Sequence, residues 1–400
     1  MGTPVPFKIE IPQAAIDAIL ARVRAYEWHE MPAIDAGGDR WAYGADMTYM
    51  QELCTYWTEK FDWRKAEAAL NRFPQFKEEV DGQEIHFIHV KGSGAAPETL
   101  LLTHGWPGSV FEFHDVIEPL AHPEKFGGNA DDGVNLVIPS LPGYAFSGKP
   151  EKPVGPRRTA ALWDRLMREV LGYKDYIAQG GDWGSVVTGW LGYEHGVDKT
   201  GGCKAIHVNM NGLRPAVLPE TAEEQAWVAA AGAAFAMDGA YLQIQMTKPQ
   251  TLSYAMMDSP VGAAAWIVEK FHSWSDRRHG AVPGHLENAF SKDAMLTDIM
   301  IYLVTRSFNT AIWFYRGMME EGGTNMAPGT RVEVPTGMAK FPQEAQAYCI
   351  GPRGYMEKGF NIVHWSEPER GGHFAAWETG RLFADDVMNF VKKIKGRAVQ

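Results

Sequence analysis

The residues best placed to do chemistry cluster around one aspartate. In Tyr176-Ile177-Ala178-Gln179-Gly180-Gly181-Asp182-Trp183-Gly184-Ser185 an apolar strand pattern runs into glycines, and helical text begins near Gly184. Asp182 stands at the turn, with a glycine two positions to either side. A strand that turns into a helix this sharply tolerates only small side chains at those flanks, and it lifts the residue at the apex above the sheet. Free N–H groups at the helix start favour the ionised carboxylate, which is the nucleophilic form. Asp is also a favoured helix N-cap, commonly preceded by Gly, so on this segment alone both readings stand. The usual nucleophiles fit less well. No serine in the chain has glycine at both flanking positions. Cys203, in Gly201-Gly202-Cys203-Lys204-Ala205, comes close, but its strand follows it instead of preceding it.

Two further loops can complete such a site. Thr103-His104-Gly105-Trp106-Pro107-Gly108-Ser109 follows a buried strand and precedes a helix, a place from which a backbone N–H can face an oxyanion. The donors would be the N–H groups of Trp106 and of Trp183, the residue after the nucleophile. His104 itself is expected to shape the loop. Arg370-Gly371-Gly372-His373-Phe374 follows the last strand, and His373 is the only one of 13 histidines that lies late in the chain on a glycine loop. From there it can reach over the sheet towards Asp182. His364 lies inside a strand and reads as structural. A carboxylate must orient the imidazole. Glu344, in Phe341-Pro342-Gln343-Glu344, is nearest in order to the loop after the preceding strand, and Glu333 stays open as the alternative. The order is then nucleophile, acid, histidine.

These residues need a scaffold that brings distant loops together. Strand patterns at Ile85–Val90, Thr99–Thr103, Val134–Pro139, Tyr176–Gln179 and Ala205–Val208 alternate with helices at about 110–120, 158–171 and from 184. That alternation predicts a parallel sheet with helices on both faces. The first ~85 residues read as mostly helical, over 12–27, 47–60 and 64–72. From about 213 to 326 the strand signals give way to Ala-, Trp- and Met-rich helical text. Strands resume at Arg331–Pro335 and Phe360–Trp365, and a last helix covers about 381–394. The predicted divisions are an arm over 1–92, a core over 93–212 and 327–400, and a helical cap over 213–326.

Composition narrows the function classes. The 400 residues are 45% apolar and 22% charged, with 14 Trp, 14 Tyr and 19 Phe, enough for a large core and an apolar pocket. A net charge of −11 argues against nucleic acid or an anionic membrane as partner. Three widely spaced cysteines form neither a disulfide framework nor a metal pattern, so a cytoplasmic location is expected. The N-terminal text has no signal pattern, and no run approaches the length of a membrane span.

Taken together the segments resemble the epoxide hydrolases, in particular the microsomal-type group with an N-terminal helical region. The resemblance covers almost the whole chain. Its carriers are Tyr56-Trp57, Phe61-Asp62-Trp63-Arg64 and Leu70-Asn71-Arg72-Phe73-Pro74 near the N-terminus, then His104-Gly105-Trp106-Pro107, Gly181-Asp182-Trp183-Gly184 and Gly371-Gly372-His373-Phe374. It implies an α/β-hydrolase fold: a mostly parallel eight-stranded sheet with helices on both faces, a helical cap insertion and an N-terminal helical arm. It selects Glu344 as the acid of a catalytic triad. It also implies two cap tyrosines on the epoxide oxygen, Tyr241 and Tyr315, with Tyr302 competing for the second place. The mammalian microsomal members carry a membrane anchor; this chain shows none and resembles the bacterial and fungal members.

The implied reaction joins a small apolar epoxide and water to give a vicinal diol, through an ester on Asp182, without metal or cofactor. The resemblance allows a homodimer and suggests a role in detoxification or aromatic-hydrocarbon catabolism. A haloalkane or haloacid dehalogenase would use the same aspartate. An inactive α/β-hydrolase that only binds ligands is the reading of another class.

Overall fold

The computed structural model describes residues 3–31, 39–280, 282 and 284–397. Among the described residues nine strands form one sheet: β1 Val5–Phe7, β2 Gln75–Val80, β3 Gln83–Val90, β4 Thr99–Thr103, β5 Asn135–Pro139, β6 Tyr176–Gly180, β7 Cys203–Val208, β8 Val332–Ala339 and β9 Phe360–Ser366. Their spatial order is β1-β2-β3-β5-β4-β6-β7-β8-β9. Pairing is antiparallel from β1 to β5 and parallel from β5 to β9.

The central strands are largely apolar because both faces are covered. Leu101 of β4 packs with Val137, Ala178 and Ile206 on one face; Leu100 and Leu102 pack with Leu136, Ile138 and Ile177 on the other. Successive side chains of a strand point to opposite faces, so one run of leucines serves two cores.

The expected eight strands are nine. The addition is β1, a three-residue edge strand that is largely exposed and contains Pro6. It carries no alternation from which to read it, and proline is tolerated at an edge. β2 likewise lies within text read as helical, because its Gln-Phe-Lys-Glu-Glu-Val sequence is mostly polar. The helix expected over 110–120 is a 3-10 turn, Val110–Phe113, followed by a short helix, Ile117–Ala121. A continuous helix would set Pro119 in its interior, against the carbonyl one turn earlier.

Between β7 and β8 the described residues form six α-helices: Ala222–Asp238, Ala240–Thr247, Pro249–Asp258, Pro260–Trp274, Lys292–Val304 and Phe308–Glu320. The N-terminal helices brace this insertion. Trp57, in the helix Met47–Glu59, is fully buried, and the Tyr56 hydroxyl donates to Asp293 Oδ1 at 3.0 Å. Arg22, in the helix Gln13–Arg24, donates to the Asp258 carbonyl at 3.1 Å. No helix among the described residues is long and apolar enough to cross a membrane.

Candidate active site

Asp182 sits where β6 turns into the helix Trp183–Glu194, with φ 47° and ψ −128°. Side chains other than glycine adopt such a backbone only when the surroundings impose it. The surroundings are visible in the flanking glycines. A Cβ on Gly180 would overlap the backbone of Gly184, and one on Gly184 would overlap the Thr103 carbonyl. The alternative of a simple helix cap is not realised, since the Asp182 side chain makes no capping bond. It turns instead to the two loops that converge on it.

Oδ1 of Asp182 accepts the Trp106 N–H at 2.7 Å, and Oδ2 lies 3.1 Å from Nε2 of His373. A Cβ on Gly105 would overlap Oδ1, so the glycine of that loop makes room for the carboxylate. Trp183 opens its helix, and its N–H therefore has no partner within the helix. One backbone donor, the Trp106 N–H, thus holds the carboxylate, and the Trp183 N–H follows it directly in the chain without a helical partner.

His373 Nδ1 donates to Glu344 Oε1 at 2.7 Å, and both side chains are 1% exposed. Glu333, the alternative acid, is exposed on β8. The histidine loop is pinned by the insertion: the His373 N–H donates to the Trp274 carbonyl at 2.9 Å, and the Gly371 N–H to Asp276 Oδ2 at 3.0 Å. Burial alone would lower the imidazole pKa. The carboxylates of Glu344 and Asp182 outweigh it and hold the ring well above its ordinary value.

The inserted helices bring aromatic rings over this centre. Tyr241 stacks on Trp106 with ring centroids 5.3 Å apart, and Tyr315 packs edge-on against Trp106 at 5.9 Å and Trp183 at 4.7 Å. The two tyrosine rings are 6.1 Å apart. Burial, reinforced by neighbouring acidic groups, pushes both phenols well above their usual pKa, so both remain protonated donors. Tyr302 is committed elsewhere: its hydroxyl donates to the Gly108 carbonyl at 2.7 Å.

Tyr348 was not visible as a site residue in the sequence. Its hydroxyl lies 3.0 Å from that of Tyr241. Lys270 was missed too. It is buried, held by Asp238 at 2.9 Å and Glu269 at 2.8 Å, with its ammonium 4.5 Å from the Tyr241 ring centroid. Nothing in the spacing of either residue connects it to Asp182.

His104 holds the loop that carries Trp106. Its Nδ1 lies 3.0 Å from the Gly105 carbonyl, and its Nε2 accepts the Leu141 N–H at 3.1 Å. Burial lowers its pKa to about 4, so the ring is neutral. Cys203 is fully buried at the start of β7, where burial raises its thiol pKa far above the nucleophilic range.

Comparison with known proteins converges on one family. A family model described as "Epoxide hydrolase N terminus" matches residues 4–113, and one described as "alpha/beta hydrolase fold" matches residues 98–292. A protein of Stigmatella aurantiaca, provisionally named an epoxide hydrolase, is 39% identical over 397 residues, covering 98% of this chain and 86% of its own. Epoxide hydrolase 1 of Sus scrofa is 33% identical, over 96% of this chain and 88% of its own. The solved structure of Aspergillus niger epoxide hydrolase superposes with a TM-score of 0.82 at 31% identity, covering 98% of this chain and 97% of that one.

Proposed function

The chain belongs to the epoxide hydrolases and converts an epoxide and water to a vicinal diol; we propose that Asp182 is the nucleophile of that reaction. Tyr241 and Tyr315 hold the epoxide oxygen, and one of them protonates it as the ring opens. A ring C–O bond breaks while an ester bond forms between the carbon and Asp182. Esterification removes one of the two negative charges beside His373, so its pKa falls and Nε2 becomes available as a base.

Water then adds to the carbonyl carbon of the ester and gives a proton to Nε2 of His373, which Glu344 orients. The N–H groups of Trp106 and Trp183 hold the oxyanion, an interaction whose loss typically costs ~10²–10³ in rate. Collapse breaks the ester. The diol oxygen takes its proton from His373, and the remaining proton returns to the tyrosinate.

The observation that carries this reading is the unbroken run Trp106 N–H, Asp182, His373, Glu344, at 2.7, 3.1 and 2.7 Å. A single turnover in ¹⁸O-labelled water tests it. Label is expected in Asp182 and none in the diol; label passing directly into the diol overturns the ester route.

Three finer assignments go with this reading. The rings of Trp106, Trp183, Tyr241, Trp274 and Tyr315 support an apolar epoxide as substrate. Residues 213–326 serve as the cap over a core of 93–212 and 327–400, with 1–92 as its brace. The cysteines Cys54, Cys203 and Cys349 are all unpaired, which supports a reducing, cytoplasmic location.

A further inference from the structure

A small cavity of about 20 Å³ lies against Asp182, bounded by Gly105, Trp106, Glu112, Gln179, Asp182 and His373 among others. None of its lining residues comes from the insertion that carries Tyr241 and Tyr315. It therefore opens on Asp182 from the core side, whereas the epoxide is held from the cap side. Its volume suits one water molecule, which needs roughly 10–15 Å³ and two to four polar partners.

The partners are present. Gln179 is fully buried at the end of β6; its Nε2 donates to Asn209 Oδ1 at 2.9 Å, while its Oε1 has no hydrogen-bond partner among the described residues. Glu112 follows the oxyanion loop in the 3-10 turn Val110–Phe113. A Cβ on Gly108 would sit 2.7 Å from Glu112 Oε2, so glycine at 108 leaves the carboxyl its place. Burial, with Asp182 and Asp298 nearby, pushes the Glu112 carboxyl well above the usual range and keeps it protonated, a donor. Nothing in the mechanism above uses either side chain.

We propose that this cavity holds the hydrolytic water and that Glu112 and Gln179 position it for attack on the ester. The water donates one proton to Nε2 of His373 and the other to Gln179 Oε1. It accepts the Glu112 hydroxyl on one lone pair, and the second lone pair is left facing the Asp182 carbonyl carbon. Glu112 and Gln179 thus serve the second half of the reaction and not the first. This rests on Asp182 being the esterified residue.

The test is rapid-quench intact-mass analysis with styrene oxide, which reads ester formation and ester hydrolysis separately. In Glu112→Leu the alkyl-enzyme is expected to accumulate, with hydrolysis slowed roughly 10²-fold, the cost of misplacing a reacting group by about 1 Å. The alkylation rate stays at the wild-type value. Gln179→Met, which removes the acceptor, is the second arm and decides the matter should Leu at 112 impair folding. Glu112→Gln keeps a donor and is expected to restore much of the hydrolysis rate. Both half-reactions falling together, or neither changing, overturns the proposal. His373→Gln separates the two levels. No adduct in that variant refutes Asp182 as nucleophile, whereas adduct there but none in the folded Glu112 and Gln179 variants refutes only the water site.

Discussion

Two histidine–carboxylate clusters lie close to the same sheet. One joins His373 to Glu344 and Asp182. The other joins His207 of β7 and His364 of β9 to Asp386 of the helix Gly380–Arg397, through two contacts of 2.9 Å. In the second cluster the imidazoles stand in register across β7, β8 and β9, separated by Gly337. Each oxygen of Asp386 is spent on one ring, and Phe390 packs against both rings at 5.5 and 5.9 Å. The first cluster sits on loops beyond the strand ends, faces a cavity, and keeps one carboxylate in contact with the Trp106 N–H. The same residue types yield a strut when strands and helix enclose them and a reactive centre when loops hold them open.

Substitutions should separate the two sharply. Asp182→Ala is expected to lower kcat by at least ~10⁴-fold with little change in Tm, measured by diol formation and thermal melts. Asp386→Ala should do the reverse. Turnover at 25 °C stays near wild type, while unfolding in urea shows about 2–4 kcal/mol lost, because the buried His207 and the half-buried His364 lose their acceptor. If Asp386→Ala abolished turnover in a protein of unchanged stability, the contrast would collapse.

The two tyrosines of the neighbouring helices give a smaller, parallel contrast. Tyr315→Phe should slow alkylation by about 10²-fold, as expected for a lost proton donor. Tyr302→Phe should spare the chemistry and cost about 1 kcal/mol of stability, since the Gly108 carbonyl loses its donor. The reverse pattern would move the second tyrosine to 302.

Acidity distinguishes the clusters in sign. Burial alone would raise the Asp386 pKa, but hydrogen bonds from His207 and His364 hold it far below the ordinary value. Its stabilisation is therefore complete above the unfolded pKa of about 3.9 and is lost as pH falls below it. His373 is raised, so its contribution is complete below about pH 6.5 and is lost as pH rises through the folded value. Urea midpoints against pH should flatten on the acid side in Asp386→Asn and on the alkaline side in His373→Gln. Slopes unchanged in both variants would show that other groups govern the pH dependence.

Several features were legible in the sequence because they are local. The Gly180-Asp182-Gly184 spacing reports a steric requirement within five residues, and the structure shows the overlap that any side chain there would cause. The run Thr99–Thr103 reads directly as a strand because burial on two faces writes itself into composition, and Phe360–Trp365, half-buried at the sheet edge, reads through its β-branched and aromatic residues. The polar β2 and the proline-bearing edge β1 left no such trace. Chain order put Glu344 first without excluding Glu333, and the resemblance that implied Tyr241 and Tyr315 left Tyr302 as a competitor.

What the sequence determined by itself was the elbow at Asp182, the order of the groups around it, and the alternation that demands a sheet flanked by helices. Only tertiary structure puts Glu344 within 2.7 Å of His373, commits the Tyr302 hydroxyl to the Gly108 carbonyl, and sets Glu112 and Gln179 around one cavity. The reason is distance along the chain. The Asp182 carboxylate meets partners 76 and 191 residues away, and no local rule of turn, cap or periodicity reaches across such separations. Only the packing of the sheet, and of the helices inserted into it, brings those groups within a hydrogen bond.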